Sequence, residues 1–150
     1  MSKNIKKDSS SKTVKFVIFF TFAYIAFFTF TAISRKNYEF LYYRFIMSAL
    51  LLLIALYYKK IHLPRIIIAG LSVIGLLHAL GGNVFIKGAR LYDFWIIPQF
   101  FRYDNLVHII ATLILALIAY NLLYHHLDKK LIHNKALLAF IIILIVMGIG

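Results

Sequence analysis

The chain is divided into five long apolar runs separated by short polar connections, and this pattern restricts its fold more than any other feature. The runs cover residues 16–33, 40–58, 66–82, 106–124 and 136–150. A helix needs about 20 predominantly apolar residues to cross the hydrocarbon core of a bilayer. Only helices and closed barrels satisfy every backbone polar group inside lipid. The sequence therefore predicts an all-α fold, a polytopic transmembrane helix bundle.

The composition excludes both a soluble domain and a disordered chain. Hydrophobic residues make up 63% of the sequence and charged residues 15%, whereas soluble domains are roughly 45–50% apolar and about 25% charged. The sequence has no cysteine, which rules out disulfides, thiolate metal sites and a cysteine nucleophile. We therefore expect a basic cytoplasmic tail at residues 1–15, followed by a helix bundle at residues 16–150.

The last apolar run is shorter than a complete membrane span. Residues 136–150 would cover about 22 Å as a helix, whereas the hydrocarbon core is ~30 Å thick. The run ends at Gly150 without any polar residue after it. The sequence therefore predicts that the fifth span is truncated.

The basic residues flank the apolar runs and are unequally divided between the two sides of the predicted bundle. Eleven Lys and Arg residues lie on the side of the N-terminus and six on the other side. Cytoplasmic loops carry the excess of positive charge, so we expect a plasma (inner) membrane protein with a cytoplasmic N-terminus. Bases at the ends of membrane spans indicate contact with the anionic headgroups of the lipid bilayer. Their positions do not indicate that the protein binds nucleic acid, and the sequence identifies no protein partner.

Two features at the ends of the spans lead to further structural expectations. Arg44 lies about 6 Å inside the second run, and its long side chain is predicted to snorkel back to the interface. Gly81, Gly82 and Asn83 interrupt the third run, so its helix is predicted to end or break there. The polar and aromatic connection at residues 87–105 is expected to lie along the interface or to dip back into the protein.

Three ionisable residues near the predicted outer boundary form the candidate site. Asp104 and His108 are four residues apart at the start of the fourth run, which places both on one helix face, and Thr112 continues that stripe. His78 lies near the outer end of the third run, so two neighbouring antiparallel helices would bring all three residues to similar depths. Ionisable residues at membrane depth are functional candidates.

The chemistry of this candidate site stays open at the level of the sequence. A carboxylate and two imidazoles suit zinc or another divalent metal ion, so Asp104, His108 and His78 are the predicted metal ligands. Asp104 and His108 are equally suited, as catalytic residues, to a proton relay or to general base catalysis. Alternatively, Asp104 caps the fourth helix and His108 only bonds to Asp104 or to a backbone carbonyl.

The runs Tyr92-Asp93-Phe94-Trp95-Ile96-Ile97-Pro98 and Arg102-Tyr103-Asp104-Asn105-Leu106-Val107-His108 resemble the YjdF-like inner-membrane proteins, a family of unknown function. That resemblance implies a prokaryotic multi-pass membrane protein with Asp-x-x-x-His at the start of a transmembrane helix, which Asp104 and His108 match. It also implies an acidic pair in the next helix, which would begin about where this sequence ends. A weaker resemblance is to VanZ-like membrane proteins, which also start a helix with Asp and His.

Three functions remain open from the sequence, and whether the chain is an enzyme is undecided. The first is an uncharacterised polytopic membrane protein with an outward-facing Asp/His polar or metal site. The second is a transporter or channel component whose polar groups line a path through the bilayer. The third is an accessory membrane subunit without catalysis.

Overall fold

The computed structural model describes residues 2–61, 63–127 and 133–149, and in these residues the fold is almost entirely helical. Five helices account for most of the described chain: α1 (Ser2–Ser34), α2 (Tyr38–Ile61), α3 (Arg65–Asn83), α4 (Tyr103–His126) and α5 (Lys135–Ile149). This architecture confirms the predicted all-α membrane helix bundle.

Three helical segments of the described chain are long and apolar enough to cross a membrane: Lys12–Ser34, Arg65–Asn83 and Tyr103–His125. They correspond to the first, third and fourth predicted spans. The apolar helix Lys135–Gly148 is shorter, and Gly150 lies outside the described residues, as do several α2 side chains of the second predicted span. Helix α1 begins at Ser2, so residues 2–15 of the predicted basic tail form the first part of this helix. Their cytoplasmic location stays a prediction.

The connection between α3 and α4 folds into two small hairpins. Strand β1 (Phe85–Ile86) pairs antiparallel with β2 (Ala89–Arg90), and β3 (Trp95–Ile97) pairs antiparallel with β4 (Phe101–Arg102). A single 3-10 turn at Leu91–Asp93 joins the two hairpins. Helix α3 therefore ends just after its two glycines, as one of the two sequence alternatives predicted.

The α1–α2 turn and the α3–α4 connection lie at the same end of the bundle, which we call the hairpin end. Arg35 Nη1 donates to the backbone oxygen of Asn83 over 2.8 Å, and Asn37 Nδ2 donates to that of Gly82 over 3.2 Å. Arg90 Nη1 also forms an ion pair with Glu39 Oε2 at 2.9 Å. These contacts close the C-terminal end of α3, where backbone carbonyls lack partners within the helix.

Helices α1 and α3 are joined by buried polar contacts halfway along the bundle. Tyr24 Oη donates to the Ser72 backbone oxygen over 3.0 Å, and the hydroxyls of Thr21 and Ser72 lie 2.7 Å apart. The absence of a side chain at Gly75 makes room for the Tyr24 hydroxyl. Small residues that allow close approach, and polar groups that bond across helices, are the usual means of packing helices in membranes.

Replacing Tyr24 with phenylalanine is expected to lower the free energy of unfolding by about 1 kcal/mol, because interhelical hydrogen bonds in membrane proteins contribute about that much. The measurement is unfolding of the detergent-solubilised protein by sodium dodecyl sulfate. Tyr42→Phe is the matched control, because the Tyr42 side chain is 65% exposed. An equal loss in both variants would contradict a specific role for the Tyr24 hydroxyl.

Candidate functional site

Asp104 and His108 form a pair in the first two turns of α4, at the hairpin end. His108 Nε2 lies 3.4 Å from Asp104 Oδ1. The helix start is held by Asn105, whose side-chain oxygen accepts the backbone N–H of Arg102 over 2.9 Å. Asp104 is therefore not the cap of this helix, and its carboxylate remains available to the imidazole. A carboxylate in the first turn is also favoured by the helix dipole.

The pair faces away from the centre of the bundle. The His108 side chain is 78% exposed and that of Asp104 is 46% exposed. Thr112, one turn further along the same stripe, is exposed as well. The opposite face of α4 is buried through Val107 and Ile114, and Ile114 packs in a cluster with Ile67 of α3. The stripe of Asp104, His108 and Thr112 is therefore an open lateral surface of the bundle.

His78 lies inside the hairpin end, in a cage of aromatic rings. Its ring centroid is 5.8 Å from that of Phe40 and 5.5 Å from those of Tyr43 and Tyr92. His78 Nδ1 is hydrogen-bonded to the Tyr92 hydroxyl. Tyr92 belongs to the 3-10 turn, so the connection does dip back into the bundle at this residue. Gly81 leaves the space that the Tyr92 ring occupies, because a Cβ at this position would lie 2.9 Å from the ring.

The Tyr92 hydroxyl links the two halves of the candidate site electrostatically. Burial raises the pKa of Tyr92, and the negative charge of Asp104 raises that pKa further. The phenol therefore keeps its proton at neutral pH and can donate it to His78 Nδ1. In that arrangement the imidazole carries its own proton on Nε2.

The structure brings two of the three predicted site residues into direct contact. Asp104 and His108 form the pair described above, whereas His78 contacts aromatic side chains and Tyr92. No group of three or more His, Asp or Glu side chains in the described parts of the chain could hold a metal ion. A divalent metal bound by Asp104, His108 and His78 together stays a prediction, and the pair alone would need further ligands.

Arg44 is the residue whose buried position the sequence did not predict. The prediction that it snorkels to the interface is wrong, because its side chain is only 5% exposed and turns into the bundle. Its guanidinium carbon lies 5.2 Å from the centre of the Phe28 ring on α1. Its position inside an apolar run was a signal, but only the packing of α1 against α2 shows its direction.

Comparison with known protein families assigns the chain. The family model described as "Predicted membrane protein (DUF2238)" matches residues 16–150. The chain belongs to this family, which is the YjdF-like family named above, and is therefore a membrane protein of unknown function. This comparison does not show the weaker resemblance to VanZ-like membrane proteins. No curated protein and no solved structure matches the chain.

Proposed function

We propose that this member of the DUF2238 family exchanges protons at the outer face of the plasma (inner) membrane through the pair of Asp104 and His108. One observation carries the proposal: an imidazole nitrogen lies 3.4 Å from a carboxylate oxygen on an open stripe of the bundle. Histidine is the side chain suited to proton transfer at neutral pH, and a carboxylate beside it can accept the imidazole N–H and orient the ring. The pair is thus suited to act as a general base or acid.

The distribution of charge supports an outward-facing hairpin end. The hydrogen bonds and the ion pair of Arg35, Asn37 and Arg90 join the two less basic connections at this end. The described basic residues at the start of α1, the end of α2 and the start of α5 then lie at the opposite end, where the positive-inside rule places the cytoplasm. The N-terminus is accordingly cytoplasmic, and the basic segments contact anionic headgroups.

The lateral position of the pair suggests how a substrate reaches it. A stripe that is open on the side of the bundle is accessible along the membrane plane as well as from the outer aqueous phase. The chemistry that fits is hydrolysis or group transfer on a lipid-linked or other envelope substrate, with His108 as the proton acceptor and Asp104 as its partner. A metal ion completed by further ligands is the alternative use of the same side chains.

Substitution of the pair tests this function. His108→Gln and Asp104→Asn are each expected to fail to restore the wild-type phenotype to a strain that lacks the protein, because a general base contributes roughly 10²–10⁴-fold to a rate. The variants must be inserted in amounts equal to the wild type, which immunoblotting of membranes measures. His125→Gln is the matched control, since His125 is an exposed histidine near the other end of α4.

Two results of this experiment would redirect the proposal. Full complementation by the Asp104→Asn/His108→Gln double variant would exclude a chemical role for the pair. Near-stoichiometric metal in the purified wild type that is lost in His108→Gln would replace proton transfer with a metal site.

An accessory membrane subunit is the second candidate, and the exposed stripe favours it. Asp104, His108 and Thr112 would then be covered by a polar helix of a partner protein. Cysteines introduced at Thr112 and at exposed Leu113 distinguish these cases, since the native chain has none. Protection of position 112 alone in native membranes would favour a partner. Labelling of further single cysteines placed along the full depth of the bundle would favour a transporter.

A further inference from the structure

The guanidinium of Arg44 is buried at the depth of His78. Arg44 is six residues after the start of α2, about 9 Å along the helix from the hairpin end. His78 is five residues before the end of α3, about 7.5 Å from the same end. Only 5% of the Arg44 surface is exposed, so its positive charge has lost almost all of its hydration. Such a charge is costly in a bundle unless another group compensates it.

Two nitrogens of Arg44 have no hydrogen-bond partner among the described residues, and they share one edge of the guanidinium. These are Nε and Nη2. Their N–H bonds point in the same direction, which is the geometry with which arginine holds two oxygens of a carboxylate or a phosphate. The Phe28 ring covers the guanidinium at 5.2 Å, but a ring face accepts no conventional hydrogen bond from this edge.

The described acidic side chains do not compensate this charge. Glu39 is paired with Arg90, Asp104 is paired with His108, and Asp93 is exposed. The nearby Tyr24 hydroxyl already donates to the Ser72 backbone oxygen, and Tyr92 keeps its proton. The surroundings of Arg44 therefore supply neutral hydroxyl groups and aromatic faces, and they leave its free edge without an anion.

We propose that the free edge of Arg44 binds a phosphate oxyanion inside the hairpin end of the bundle. Phosphate matches the edge because two of its oxygens can accept both N–H bonds, and because its charge offsets that of the guanidinium. Both nitrogens are fully covered in this conformation, so the proposed binding requires the helices around Arg44 to move apart. This site is independent of the proton chemistry of Asp104 and His108, and its test changes neither residue. The phosphate is either free or part of a lipid headgroup.

Two measurements on the complete purified protein in detergent test the site. The first is the binding of radiolabelled inorganic phosphate, and the second is the amount of phospholipid phosphorus that remains on the protein after extensive washing. Arg44→Met is expected to weaken phosphate binding by roughly tenfold or more, the usual size of a charged hydrogen-bond pair. Arg44→Lys is expected to bind phosphate with intermediate affinity, because lysine keeps the positive charge but lacks the two parallel N–H bonds of the guanidinium edge. Lys36→Met is the control, since it removes one exposed positive charge at the same end.

The midpoint of thermal unfolding separates binding from a purely structural role. In the absence of phosphate, Arg44→Met is expected to unfold at the same temperature as the wild type or higher, since an apolar residue replaces a buried charge. Saturable phosphate binding lost in Arg44→Met alone supports a free phosphate. Retained phospholipid lost in Arg44→Met alone supports a headgroup. Equal phosphate binding and equal retained lipid in wild type and Arg44→Met overturn the proposal, as does a lower unfolding temperature with binding unchanged.

Discussion

Replacing Gly82 with alanine is expected to destabilise the bundle by about 3 kcal/mol, the upper part of the range for overpacking a core. A Cβ at this position would overlap several atoms of the Phe40 ring. Phe40 is only 4% exposed and is stacked on Tyr92 at a centroid distance of 5.9 Å, so its ring cannot move away freely. The measurement is the free energy of unfolding in sodium dodecyl sulfate, with the single tryptophan, Trp95, as the fluorescence probe.

A matched control exists for this glycine substitution. Gly148 also lies in a helix, α5, and a Cβ there would meet no atom within 4 Å. Gly148→Ala is therefore expected to be neutral or slightly stabilising, because alanine is the better helix former. Adding Phe40→Leu to Gly82→Ala should restore part of the lost stability. Equal effects of the two alanine substitutions would show that Phe40 does not pack closely on α3.

The second large effect is expected for Tyr92→Ala, with a loss of about 3 kcal/mol, the lower limit for removing a large aromatic side chain from a core. The ring of Tyr92 packs on Gly81 and lies within 6.1 Å, centroid to centroid, of Phe40, His78 and Tyr103. Its loss would release the α3–α4 connection from α3. Circular dichroism and the same unfolding titration measure the loss.

Tyr92→Phe separates the hydroxyl from the ring. It keeps the aromatic packing and removes only the hydrogen bond to His78, so a loss of about 1 kcal/mol is expected. Tyr38→Phe is the control, because the Tyr38 side chain is 69% exposed at the same end of the bundle. If Tyr92→Phe were as damaging as Tyr92→Ala, then the bond to His78, and not the ring, would hold the connection in place.

The class of fold was predictable because hydropathy is a property of local sequence. Runs of about 20 apolar residues satisfy the requirement for a membrane helix whatever their neighbours are. The end of α3 was also visible, since Gly81 and Gly82 precede the extended residue Val84. The small hairpins were not predicted, because strands of two or three residues leave no periodic pattern in the sequence.

The candidate site was predictable where it lies within one helix. Residues four apart share a helix face, so the contact between Asp104 and His108 follows from their spacing. The contact between His78 and Tyr92 joins residues 14 apart across a turn that folds back onto α3. It depends on the space that Gly81 leaves for the Tyr92 ring, and spacing alone does not show that space.

By itself, the sequence determined that this chain is an all-α membrane protein and that Asp104 and His108 meet on α4. These properties depend on hydrophobicity and on helical periodicity, which act over a few turns of one segment. The tertiary structure alone decided that His78 is enclosed by aromatic rings and that Arg44 points inward against Phe28. The reason is that a side chain's direction relative to its neighbours depends on how helices distant in sequence pack.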